Sequence, residues 1–372
     1  MRPVRAIFVT VVALLALGAL AFAGLQARYG GGGEFPDRTG PPELGADALE
    51  VVANLDFPPG NVAVSAKGRV FASFHPEGHP PMAVFELKDG KPEAYPPGGL
   101  PGGLTYQTVL GLHVDARNRL WVLDYGHSGV GTARLLGFDL ATDALVHRHD
   151  FPRKIALLGS HLNDLAVAPD GRRVYIADAS LFLQIPGIVD YDVTRQASRR
   201  LLQGHESVLP EPFVPVVQGV RMELYGFFAV RPGVDSIALD EQGDWLYFAP
   251  VTSRWLYRVH RRDLDDAALL RAPLEAGVER YAEKTMSDGI AIDAEGTVYL
   301  TDLEHSAIVA LDPDRKLRTL VKDDRLRWPD GLAFGPDGWL YVTCSALHQV
   351  ILKSPAEIAS HAPYQIWRFR PR

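Results

Sequence analysis

Amide and acidic side chains recur at one register of this 372-residue sequence. Asn163, Asp235, Asp288 and Asp330 each open a short apolar run, and Gly60 and Leu110 hold the same place in two further runs. The following position adds Asn61, Asp164 and Ser236. If these runs lie side by side, several carboxylates and amides meet at one end of a shared axis. Clustered carboxylates raise one another's pKa unless a cation sits among them. Hard oxygen donors of this kind suit Ca2+ or Mg2+, which makes Asn163, Asp288 and Asp330 the candidate ligands of a divalent cation. Asn61, Asp164 and Asp330, with His113 in the middle of the second run, are the candidates for contact with a small-molecule ligand. Each has a plainer reading. Asp or Asn at a strand start often caps nearby backbone N–H groups, and a mid-strand histidine such as His113 is commonly a satisfied core residue.

The runs are the first strands of hairpins. In the segment 287–302, Ile290 and Ile292 alternate with smaller or polar residues, Ala294-Glu295-Gly296 supplies a turn, and Val298 and Leu300 return. Six such copies begin at Gly60, Leu110, Asn163, Asp235, Asp288 and Asp330. Each is followed by a second apolar strand: Val70-Phe71, Leu120-Trp121, Val174-Tyr175, Leu246-Tyr247, Val298-Tyr299 and Leu340-Tyr341. A repeat of roughly 40–50 residues with several strands per unit is that of a propeller blade. The expected fold is therefore all-β, a six-bladed β-propeller of four-stranded blades. First strands begin, and second strands end, on the same face, which would bring Asp124, Asp178 and Asp302 toward the strand-start residues. Asp115, Asp170, Asp240, Asp293 and Asp337 fall in the hairpin turns of the opposite face and read as turn formers. The aromatic stripe through the second strands suits blade packing better than a cofactor.

Composition sets the remaining bounds. A formal net charge of −7 argues against a nucleic-acid partner. The single cysteine, Cys344, leaves no intramolecular disulfide, and no Cys/His spacing of the zinc type is present. Arg2 and Arg5 precede an apolar run over 6–23, and Ala21-Phe22-Ala23 matches a small-x-small cleavage site. Residues 1–23 thus read as a signal peptide or, because a run of this length can just span a bilayer, as an N-terminal anchor. Either way the protein is expected to be exported, periplasmic or secreted, touching a membrane only through that segment. Residues 24–46 are Gly/Pro-rich and read as a flexible linker; 47–372 form a single propeller domain, expected to be monomeric. The ring should be closed by an N-terminal strand at 49–55, with 364–369 as the rival, and the last repeat should find its third strand around 350–352. The long interval 181–233, with Pro210, Pro212 and Pro215, should make an excursion over one face.

The segment from Leu110 through Leu120-Trp121-Val122-Leu123-Asp124 resembles the signature of the yellow/major royal jelly protein family. Leu162-Asn163-Asp164-Leu165, the Asp235 copy, and Leu246-Tyr247-Phe248-Ala249-Pro250 are similar to it as well, so the likeness runs from about Val51 to Leu352. That resemblance implies a mostly secreted six-bladed propeller that binds or converts a small catechol- or amine-like molecule at an acidic channel mouth. A broader resemblance is to the gluconolactonase/regucalcin group of lactone hydrolases. It implies a divalent metal and an Asp acting as general base, which Asp288 or, by blade order, Asp235 would supply. Gly60 stands where that group places a metal-binding Glu. A third possibility is a non-catalytic interaction scaffold.

Overall fold

The computed structural model describes residues 2–372, without the side chains of residues 2–6 and Val9, so the charges of Arg2 and Arg5 fall outside the description. Six antiparallel four-stranded sheets surround one axis. Their innermost strands are Pro59–Val64, Val109–Val114, Leu162–Val167, Val234–Leu239, Ile290–Ile292 and Pro329–Phe334, each packed against the next in a closed ring. Blades 1 to 5 are continuous in sequence and run outward from the axis. The apolar members of adjacent blades interleave, so the core is divided among blade interfaces.

One device makes the six hairpins. At the equivalent turn position Gly68, Asn118, Gly171, Gly243, Gly296 and Gly338 have φ between 58° and 83°, a region that favours glycine and tolerates asparagine. Asp293 Oδ1 accepts the N–H groups of Glu295 and Thr297, and its Oδ2 accepts the hydroxyl of Tyr299. Asp115 does the same for Arg117 N, Arg119 N and the Trp121 indole N–H. Asp240 and Asp170 accept backbone N–H groups of their own turns. Turn aspartate and strand aromatic are therefore one unit in the second and fifth blades.

The sixth blade is assembled from both ends of the chain. From the axis outward it runs Pro329–Phe334, Leu340–Cys344, Tyr364–Phe369 and Glu50–Leu55. The N-terminal strand closes the ring, and Tyr364–Phe369 occupies third place rather than competing for the last. The stretch around 350–352 is a turn following a short 3-10 helix at Leu347–Gln349, not a strand. Ala346 and Leu352, at φ 48° and 59°, reverse the chain there and prevent an extended run.

The strand-start face is roofed. Between blades 3 and 4 the chain forms two small hairpins, Val216–Val217 with Val220–Arg221 and Glu223–Leu224 with Phe228–Ala229. Val217, Met222 and Val230 are buried in one cluster with Phe74, Val251, Leu303 and Ala346, which leave the second strands of four different blades, and with Trp328. The segment read as a linker joins this layer. Gly33 bridges Phe213, Phe35 is buried in the same cluster, Arg38 pairs with Glu283 at 2.6 Å, and Glu43 N and Leu44 N donate to Thr319 O and Leu320 O. Arg2–Tyr29 is a continuous helix that takes in the first six residues of that segment, 24–29.

Candidate ligand site in the axial channel

The innermost strands enclose a cavity of about 340 Å3. Its inner end is lined by Asn61, Asn163, Asp164, Asp288 and Asp330, and its walls are apolar, among them Val62, Leu112, Leu165, Ile290 and Leu332. It continues to Ala116, Pro169, Asp240 and Glu241, at the hairpin-turn face. The acidic end thus lies inside, under the roof, rather than at an open mouth.

Local structure explains how the polar side chains reach the axis. In five blades the pairing of the first two strands slips at the strand start: between Pro59 and Val62, Val109 and Leu112, Leu162 and Asp164, Val234 and Ser236, and Pro329 and Leu332. Such bulges re-aim side chains and free backbone groups. In blades 1, 5 and 6 a hydroxyl one residue before the end of the second strand takes up backbone groups at the strand start. Ser73 Oγ accepts Asn61 N and donates to Leu110 O of the next blade at 2.8 Å. Thr301 Oγ1 accepts Asp288 N and Gly289 N, and Thr343 Oγ1 accepts Gly331 N and donates to Gly60 O. The glycine after Asp288 is set by crowding: a Cβ there would lie 1.9 Å from Asp330 O. At Gly331 it would meet Asn61 Oδ1 at 2.8 Å.

Electrostatics follows from this enclosure. Asn61 Nδ2 donates to Asp164 Oδ1 at 2.9 Å, Asn163 Nδ2 donates to Asp235 Oδ1, and the Trp328 indole N–H donates to Asp288 Oδ2 at 2.6 Å. Burial pushes Asp164 up to about 7. Asp235 and Asp330 are held well above the carboxylate range, first by burial and then by the charge of Asp288. Burial raises Asp288 to about 6, against the opposing pull of Trp328 and Lys284. Lys284 is fully buried, donates to Val251 O and Thr285 O at 3.0 Å each, and is pushed down to about 7 by burial. Burial takes His113 down to about 4, so it lines the cavity as a neutral ring.

Asn61, His113, Asn163, Asp164, Asp288 and Asp330 all line this cavity, and Asp235 stands behind Asn163. The second-strand ends do not join them. Asp124 caps Gln107 N, Thr108 N and Gly126 N, and Asp178 holds Ser160, His161 N and Arg200. Asp302 holds His305. Among the described residues, no group of three or more His, Cys, Asp or Glu side chains is gathered as a metal centre. Lys284 and Trp328 were not visible as site residues in the sequence. The one signal for each is its position just ahead of an Asp-Gly strand start, four residues for Lys284 and two for Trp328.

Fold and site together define a six-bladed propeller with a roofed acidic pocket on its axis. The family model for major royal jelly proteins matches residues 107–367, and the chain belongs to that family. Major royal jelly protein 3 of Apis mellifera is 27% identical over 216 residues, covering 55% of this chain and 38% of the relative. Protein yellow of Drosophila subobscura is 26% identical over 205 residues, covering 51% and 32%. The chain thus matches well under half of the length of these relatives. Among solved structures, a gluconolactonase from Xanthomonas campestris superposes with a TM-score of 0.56 at 16% identity, covering 91% of this chain and 98% of the other. A calcium-binding regucalcin from Agrobacterium tumefaciens gives 0.54 at 17%, covering 86% and 93%. At such identities the likeness is one of fold.

Proposed function

We propose that this exported, monomeric propeller binds a small organic cation, an amine with an apolar or aromatic body, in its axial channel. The observation that carries the reading is the placement of charge: Asp164, Asp288 and Asp330 gather at one end of a cavity whose middle is walled by Val62, Leu112, Leu165, Ile290 and Leu332. Without a cation, Asp164, Asp235, Asp288 and Asp330 are raised by burial, and Asp164, Asp235 and Asp330 also by neighbouring charge, so a positive guest relieves a cost already present. The ammonium would sit between Asp288 and Asp330, and the body would lie along Leu112, Leu165, Ile290 and Leu332. A volume of about 340 Å3 falls in the lower part of the small-ligand range.

Calorimetry with tyramine, and with tyrosol as its neutral counterpart, tests this. Tyramine should bind and tyrosol should bind at least about tenfold more weakly, the equivalent of about 1.4 kcal/mol. Affinity should also fall from pH 8 to pH 5 as Asp164 and Asp288, at about 7 and about 6, take up protons. Equal binding of both compounds refutes the reading.

The competing proposal is lactone hydrolysis at a Ca2+ or Mg2+ ion held by Asn163, Asp288 and Asp330, with Asp235 or Asp288 as base. The residues fit such an ion poorly: Gly60 offers no side chain in the first blade, and Asn163 is engaged with Asp235. A chelator separates the two readings, since amine binding should be indifferent to it. If neither guest binds, the ring serves as an interaction scaffold.

A further inference from the structure

The Arg2–Tyr29 helix is the one helix among the described residues long and apolar enough to cross a membrane, with a mean hydropathy of 2.0 over Thr10–Tyr29. None of that window is buried against the rest of the molecule. Its last two turns nevertheless touch the roof. Phe22 meets Phe227 edge-on at 5.5 Å, Tyr29 stacks on Phe228 at 5.1 Å, and Arg28 donates to Leu183 O. Arg231 donates to Tyr29 O at 2.8 Å, and Gly31 N donates to Glu223 Oε1 at 3.0 Å. The helix therefore leaves the propeller at a fixed place, beside the hairpin of Glu223–Leu224 and Phe228–Ala229.

That same place carries exposed apolar side chains. Tyr225, at the hairpin tip, is 73% exposed, Phe182 is 51% and Leu183 is 42%. Tyr225 stacks with Phe227, and Phe182 packs beside Phe228, so they form one aromatic cluster around the helix end. Phe22 precedes Tyr29 by seven residues, so at 1.5 Å per residue the hairpin reaches about 10 Å back along the helix. A hydrocarbon core needs about 20 apolar residues; counted back from Leu25, ahead of Gln26 and Arg28, such a span brings Phe22 and Phe227 to its edge. Aromatic rings concentrate at that boundary, and Arg28, one turn beyond Leu25, falls on the side where lipid phosphates would lie.

We propose that the helix is retained as a membrane anchor and that the 223–229 hairpin, with Phe182 and Leu183, is seated in the headgroup layer of the bilayer the helix crosses. This does not depend on what the channel binds. The test uses the full chain in vesicles of phosphatidylcholine and phosphatidylglycerol. Cys344 is buried, so Tyr225→Cys, or Lys67→Cys on the hairpin-turn face, can be labelled selectively with a polarity-sensitive fluorophore. A label at 225 should shift to the blue and lose most of its emission to nitroxide lipids, whereas a label at 67 should do neither. Phe182→Cys should behave like 225, which guards against a defect peculiar to one variant. Labels at 225 and 182 that remain unquenched overturn the proposal. So does an intact mass showing that the protein exported by its host begins at Gly24.

Discussion

Replacing Asp288 with Asn should stabilise the ligand-free protein while weakening its capture of a cation. Asp288 titrates near 6 in the folded chain against an ordinary value of 3.8. Folding therefore strengthens its hold on a proton, and stability falls as pH climbs from about 4 through about 6. Above that range the ionised carboxylate costs up to about 3 kcal/mol, at 1.36 kcal/mol per pH unit. Asp288 is only partly covered, so channel water relieves some of this, and a gain of about 1–3 kcal/mol is expected. Asn keeps an acceptor for the Trp328 indole N–H, so the contact at 2.6 Å can survive the change. Urea unfolding at pH 8 and at pH 4.5 measures the effect: Asp288→Asn should exceed the parent at pH 8, and the gap should shrink to about a third of that size at pH 4.5. A variant less stable than the parent at pH 8, or a gain of the same size at both pH values, refutes the claim that an unrelieved buried charge resides at this position.

Gly296→Val should destabilise by about 1–3 kcal/mol, because φ +83° is a region a β-branched residue enters only with strain; thermal unfolding of the pair checks it, and equal stability would exclude the turn assignment. Thr343→Val keeps the shape of a buried side chain but leaves Gly331 N and Gly60 O without their partner. It should cost about 1–3 kcal/mol in denaturant unfolding, whereas a neutral outcome would mean that the hydroxyl is not what fastens the sixth blade to the first.

Much of this was legible because a propeller repeats local rules. The alternation of Ile290 and Ile292 with Val298 and Leu300, the turn aspartates and the strand-start column are short-range patterns, and six copies of them suffice for the ring. The roof is different. Val217, Met222 and Val230 find their partners on four blades far away in sequence, so no periodicity announces them. Lys284 is hidden for a like reason: one of the two carbonyls it donates to, Val251 O, lies 33 residues away. The misplaced third strand of the sixth blade rests on Ala346 and Leu352 adopting positive φ, a conformation those residue types do not advertise. The Gly/Pro-rich composition of residues 24–46 likewise suggests freedom, while Gly33, Phe35, Arg38 and Glu43 are each held by named partners.

The roof over the strand-start face lies across one end of the axis. A guest taken up as proposed would enter past Ala116, Pro169, Asp240 and Glu241 and leave by the same end. Traffic on that reading would be single-file, one molecule excluding the next. Orientation would follow as well, since a charged head drawn to Asp288 and Asp330 would lead and the rest of the molecule would trail toward the hairpin-turn face. Chemical variation at the tail end of a ligand should therefore be tolerated far more freely than variation at its head.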